Sequence, residues 1–231
     1  MLGNDAIAIG VQGLADVFAK RSLPYEDDEA IALDRAIFET IYYAALDASC
    51  ELARVDGPYA SYKGSPMSEG RLAFDLWPGD HASDAHDWDG LRARIAKYGT
   101  RNSLLTAIMP TASTAQILGN SESVDPRLSN VYSRRTLAGT FQEFNPYLVD
   151  TLRRQGRWDD DMRTSLLAQR GSIQDHPSID DHTKKVFKTV WEIKQRRVID
   201  LSCFGWLGRK TEFADEEQCR VVVRAHATAP C

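Results

Sequence analysis

Metal and redox spacings are missing from this chain. Its four cysteines, Cys50, Cys203, Cys219 and Cys231, include no Cys-x-x-Cys pair, and none stands beside a histidine at zinc spacing. The common zinc sites and thioredoxin-like redox motifs are thereby excluded. No apolar run reaches the roughly 18 residues a membrane-spanning helix needs, so no membrane partner is expected. Met1-Leu2-Gly3-Asn4-Asp5 places no basic segment ahead of an apolar one and no glycine directly after Met1, so neither a signal peptide nor a myristoylation pattern is read. Basic residues are outnumbered, 28 against 33 for a net charge of −5, which argues against a nucleic-acid partner. There is no Gly-Lys-Ser/Thr triplet, hence no P-loop, and no internal repeat or low-complexity tract. What remains is 231 residues with 43% hydrophobic content, enough for one or two ordinary domains with a real core. The chain reads as soluble and intracellular, a setting in which no disulfide framework is expected.

The most informative stretch is Met109-Pro110-Thr111-Ala112-Ser113-Thr114-Ala115-Gln116-Ile117-Leu118-Gly119. Ser103 to Ile108 ahead of it is a short apolar run that reads as a buried strand. The segment behind ends at Gly119-Asn120, a helix stop signal. A strand, a hydroxyl-rich turn without bulk and a helix N-terminus together make an anion site. The first helical N–H groups have no partner inside the helix, and the macrodipole adds partial positive charge there. Thr111, Ser113 and Thr114 could add hydroxyl donors to phosphate oxygens. The same residues also suit a plain helix N-cap with no ligand.

Elsewhere the periodicity is mainly helical. Helices are predicted over Ile7 to Phe18, Glu26 to Arg54, Asp84 to Lys97, Ser129 to Leu137, Pro146 to Gln155, Asp159 to Gln169 and Asp181 to about Leu201. Residues 57 to 82, rich in Gly, Ser and Pro, read as a long surface loop. Cys50 reads as a small buried hydrophobe. Tyr42 and Tyr43, about 100° apart on a helix, read as core and rim. Trp88, Trp158 and Trp191 read as core anchors. Arg134-Arg135 reads as an exposed helical face. His81 and His86, beside Asp80, Asp84 and Asp87, could attract a metal, but solvated loop residues are the simpler reading, and no metal site is assigned.

The segment from Arg101 to Thr136 closely resembles the large subunit of class I ribonucleotide reductase. So do Ile9-Gly10-Val11-Gln12-Gly13-Leu14-Ala15-Asp16, Phe38 to Leu46, Gly57-Pro58-Tyr59, Gly64-Ser65-Pro66, Asn145-Pro146, Gly171-Ser172-Ile173-Gln174 and Lys188 to Ile193. The blocks run in order over roughly residues 6 to 201. Thr100 departs from the pattern, which usually has an aliphatic residue there. Residues 202 to 231 match nothing in the family and are taken as a divergent, disordered tail beyond a barrel portion at residues 1 to 201.

The resemblance implies an α/β fold: part of a ten-stranded α/β barrel, its second half, with many surrounding helices, mainly helical as a fragment. It implies reduction of ribonucleoside diphosphates to deoxyribonucleotides by thiyl-radical chemistry, in the cytoplasm, as part of deoxyribonucleotide biosynthesis for DNA replication. The implied partners are a ribonucleoside diphosphate, a small subunit and a second large subunit. This chain is expected to bind no cofactor itself, because the family's small subunit supplies the radical through its metal centre. No stretch matches the family's radical cysteine, the acid and amide beside it or its reducing cysteine pair, so no catalytic residue is assigned. The role that carries over is substrate phosphate binding, at Pro110, Thr111, Ala112, Ser113 and Thr114. The alternative is a non-catalytic phosphate-binding fragment or a helical interaction module.

Overall fold

The computed structural model describes residues 3–76, 82–137 and 139–205. Helix α1 is Leu14–Lys20, α2 Asp28–Asp56, α3 Trp88–Tyr98 and α4 Ala112–Leu118. A hairpin follows, β1 Val131–Thr136 and β2 Gly139–Phe144, then α5 Pro146–Arg154, α6 Asp160–Ala168, α7 Asp181–Val186 and α8 Gln195–Gly205. The expected divergent tail falls, from residue 206 on, outside the described residues, as does His81.

Helix α2 is the spine. Its buried face runs from Ala30 through Phe38, Tyr42 and Leu46 to Cys50 and Ala53, the helical spacing seen in the sequence. Its second half packs with Leu72, Phe74, Trp88, Leu91, Ile95 and Leu105. Its first half packs with Leu14, Phe18, Leu23, Tyr25, Val124, Ile193 and Leu201. A third cluster joins Leu148, Leu152, Met162, Leu166, Ile173, Ile179 and Phe187. Each fully buried leucine among them, such as Leu46, Leu91 or Leu152, contributes roughly 1.5–3 kcal/mol.

Several expected elements take another form. The segment from Ile7 to Gln12 is extended, not helical, and α1 begins only after Gly13. Ile9 bridges Thr106 in parallel, with Ile9 N donating to Leu105 O at 2.8 Å and Ala107 N to Ile9 O at 3.0 Å. Gly10 is needed there, because a Cβ would lie 2.6 Å from Ala107 O. The run from Ser103 to Ile108 is this pairing partner rather than a regular strand of its own, and Leu104 is exposed. The loop from 57 to 82 contains two short 3-10 turns, Pro66–Glu69 and Ala73–Leu76, and sends Tyr59, Leu72 and Phe74 into the core.

The predicted helix over Ser129 to Leu137 is strand β1, paired antiparallel with β2 from Val131↔Phe144 to Thr136↔Gly139. Val131, Tyr132, Phe141 and Phe144 favour a pleated surface. Side chains then lock the base of the hairpin. Asn145 Nδ2 donates to Asn130 Oδ1 at 2.8 Å, and Asn130 Nδ2 donates to Gly171 O at 2.9 Å and Phe187 O at 2.8 Å. Arg135 is therefore on an exposed strand, not a helical face.

The long helix expected from Asp181 to Leu201 is broken into three. Asp180 caps α7 through Thr183 N at 2.8 Å, Thr189 and Glu192 form a capping box around a 3-10 turn, and Ile193 is extended before α8 starts. That break turns Trp191 outward to 82% exposure, so it is not a core anchor, whereas Trp88 is buried and Trp158 packs edge-on against Phe144. Thr100, the departure from the family pattern, is fully buried and hydrogen-bonds to Met67 Sδ at 3.0 Å.

Candidate functional site

The anion turn leaves the parallel pair at Ala107 and enters α4 at Thr111. The first helical bond runs from Ala115 N to Thr111 O at 2.7 Å. The N–H groups of Ala112, Ser113 and Thr114 therefore lie ahead of the helix's own acceptors. Pro110, Ala112, Ser113 and Thr114 are exposed, Ala115 is buried beneath them, and no acidic residue sits in the first turn. The arrangement offers donors, no acidic residue within the first turn and an open approach.

The plain-cap alternative is not what the hydroxyl of Thr111 does. Thr111 holds the N-cap position, yet its side chain makes no cap bond to α4. Its Oγ1 accepts instead from Ser123 N at 2.8 Å, tying the turn to the segment beyond the helix. Thr114 Oγ1 lies 2.8 Å from Gln12 Oε1 and 3.1 Å from Thr111 O, donating its single proton.

Residues that the sequence did not single out hold this turn. Gln12 Nε2 donates to Asn120 Oδ1 at 3.2 Å, and Gly13 N donates to Ser121 O at 2.9 Å. Buried Asp16 accepts from Ser121 N at 2.6 Å and is paired with Arg127. The block Gln12 to Asp16 thus braces the chain just after α4. About a hundred residues separate the partners, and no local pattern signals such a contact. Only the shared resemblance of both blocks to one family linked them.

The other candidates behave as structural groups. Cys50 is fully buried, and burial pushes its thiol pKa up, which suits an inert side chain. Tyr42 is buried with its Oη accepting from Ala73 N at 3.0 Å, and Tyr43 stacks on His86 at the rim, 4.7 Å between ring centroids. Among the described residues no group of His, Cys, Asp and Glu is placed to hold a metal.

A profile described as ribonucleotide reductase, barrel domain, matches residues 3–203. The chain belongs to the ribonucleotide reductase barrel-domain family. It is 54% identical over 196 residues to a ribonucleoside-diphosphate reductase large subunit of Caenorhabditis elegans, covering 85% of this chain and 25% of that protein. A large subunit from Plasmodium falciparum is 55% identical over 196 residues, covering 85% and 24%. The class Id ribonucleotide reductase alpha subunit of Actinobacillus ureae superposes with a TM-score of 0.66 at 25% identity, covering 95% of this chain and 36% of that one. The chain thus spans about a quarter of the length of these curated reductase relatives. Its helices, parallel pairing and hairpin are compatible with a portion of an α/β reductase barrel. Among the described residues, no helix is long and apolar enough to cross a membrane.

Proposed function

We propose that this chain supplies the substrate-phosphate turn of a ribonucleoside-diphosphate reductase large subunit, an enzyme that reduces ribonucleoside diphosphates to deoxyribonucleotides. The observation that carries the reading is the exposed start of α4, where three N–H groups precede the first helical bond and the first turn holds no acidic residue. The N–H groups of Ala112, Ser113 and Thr114 would hold diphosphate oxygens, helped by the helix dipole. The Ser113 hydroxyl would add a charge-assisted bond. Pro110 sets the entry into the turn, Thr111 anchors it to Ser123, and Ala112 leaves room for the anion.

In this reading the thiyl radical and the reducing cysteine pair come from residues outside those assigned here, and Cys50 is not among them. A small subunit would deliver the radical from its metal centre, and a second large subunit would complete the assembly, in the cytoplasm. The fragment alone is expected to be inactive. The half barrel would be second in chain order within the ten-stranded barrel of the family.

The test is a titration of the whole chain with cytidine diphosphate and, separately, with cytidine, followed through the amide shifts of residues 111 to 116. Saturable shifts with the diphosphate alone, abolished by Ala112→Asp, are expected. Amides that stay still in the folded chain would reduce the turn to a structural cap and leave a helical interaction module as the reading.

A further inference from the structure

The hairpin is anchored at its base and uncovered toward its turn. Asn130 and Asn145 fix the base, and Phe144 packs edge-on against Trp158. Beyond it Gly139, Thr140, Phe141 and Gln142 of β2 are all exposed, Phe141 to 51%, and Tyr132 of β1 is 42% exposed. Among the described residues the sheet has these two strands alone, so each is an edge. Charge is one protection against edge-to-edge pairing. Strand β1 has it in Arg134-Arg135, whereas the run Gly139-Thr140-Phe141-Gln142 carries none. A two-stranded hairpin is marginal in water, and further strands stabilise it.

The register fixes what β2 offers. Counted from the two-residue turn between Thr136 and Gly139, alternate pairs of the ladder are hydrogen-bonded. The backbone N–H and C=O of Thr140 and Gln142 therefore point away from β1. Two β2 strands set antiparallel about a two-fold axis at Phe141 bring those groups together, with Thr140 of each copy opposite Gln142 of the other. The same register sets Phe141 beside its own copy, in the closer type of pair that suits an aromatic contact. Glu143 then faces Gly139 of the second copy, so no like charges meet. Tyr132, which donates to Glu143 Oε2 at 2.6 Å, extends the aromatic row on that face. Shifting the pairing by two residues sets Phe141 opposite Glu143 or Gly139 instead, and β1 paired with itself would draw arginines of two copies together.

We propose that the β2 edge is an interface between two copies of this chain, joined through Phe141 into a four-stranded antiparallel sheet. The occupant is a second copy because the edge is complementary to itself. One register pairs its outward backbone groups, matches its exposed aromatic residue and opposes no charges. The edge is short, so the association is weak and concentration-dependent. This interface is independent of the phosphate turn.

The test uses the whole chain carrying Ile117→Ser and Leu118→Ser, so that the exposed apolar residues of α4 contribute nothing. Sedimentation should show a monomer–dimer equilibrium. Phe141→Lys should abolish it, because two ammonium groups would face each other at the axis, and mixing Phe141→Lys with Phe141→Glu should restore it. Phe141→Cys should form an intermolecular disulfide at that position under mild oxidation, because paired Cα atoms about 4.5 Å apart lie within disulfide reach. Ser133→Cys, on β1, should not. Amide shifts of Asn130 and Asn145 check that each variant keeps its hairpin base. A chain monomeric at every concentration leaves the edge to some other polypeptide and overturns the proposal. So does a dimer that survives Phe141→Lys, a Lys–Glu mixture that stays monomeric, or cross-linking at Ser133→Cys in place of Phe141→Cys.

Discussion

Asp16 and Arg127 meet across 111 residues of chain, with Arg127 Nε donating to Asp16 Oδ1 at 3.2 Å while the other oxygen of Asp16 accepts from Ser121 N. Asp16 is 5% exposed, so its charge is desolvated and relies on those partners. Arg127→Met leaves a buried carboxylate with one backbone donor and is expected to cost about 3 kcal/mol or more. Asp16→Asn with Arg127→Met together should cost less than that single change, because no unpaired charge remains. Urea denaturation midpoints measure both, and a double variant clearly worse than Arg127→Met would refute the account.

Asp34 predicts an unusual pH dependence. It is fully buried, neither carboxylate oxygen has a hydrogen-bond partner, and burial raises its pKa from 3.8 to about 8. The folded chain therefore keeps a proton that the unfolded chain releases. Stability from this group is full below about pH 4 and declines as pH rises toward 8, by at most about 1.4 kcal/mol per pH unit. Glu26 and Asp180, both shifted down by hydrogen bonds that outweigh burial, act in the opposite sense and lose stability as pH falls. The difference between wild type and Asp34→Asn isolates Asp34. The gap in unfolding free energy should shift in favour of the variant between pH 5 and pH 8, and a gap independent of pH would exclude a buried, protonated Asp34.

Gly171 tolerates no side chain. Its φ is +85°, and a Cβ would lie 2.7 Å from Asn130 N and 2.9 Å from Val131 N, besides striking Ser129 Oγ. The left-handed backbone alone costs an alanine of order 1–3 kcal/mol, and the backbone clash adds to it. Gly171→Ala should lower the thermal midpoint sharply and loosen the hairpin base, seen in the exchange of the Asn130 and Asn145 amides. A melt within a degree of wild type would contradict the packing described.

Apolar surface predicts self-association. Leu104 is 66% exposed, Ile117 81%, Leu118 70% and Trp191 82%. Light scattering should show concentration-dependent oligomers, reduced by Ile117→Ser with Leu118→Ser. A monodisperse monomer with a sharp cooperative melt would count strongly against this.

Helices with an apolar stripe were legible in the sequence. The periodicity of α2 and the bounds of α5 and α6 lie close to where the signals put them, because those signals are local. The hairpin is hard to read from sequence because the strand preference of Val131 and Tyr132 is weak beside the central Ser133-Arg134-Arg135, and its other determinants, Asn130, Asn145 and Gly171, act through contacts far along the chain. The break in the last helix was hidden in a capping box of just Thr189 and Glu192. At the turn, the sequence supplied the hydroxyls but not their bonding. It could not show that Thr111 is committed to Ser123, nor that Gln12 stands behind Thr114.

The brace between Gln12–Asp16 and Asn120–Arg127 also has a kinetic meaning. Closing it joins segments about a hundred residues apart, so the loop-closure entropy must be offset by α2 and α3 condensing between them. The turn should therefore be among the last features to form during folding, and a peptide containing only residues 103 to 125 should hold neither the α4 geometry nor any affinity for diphosphate.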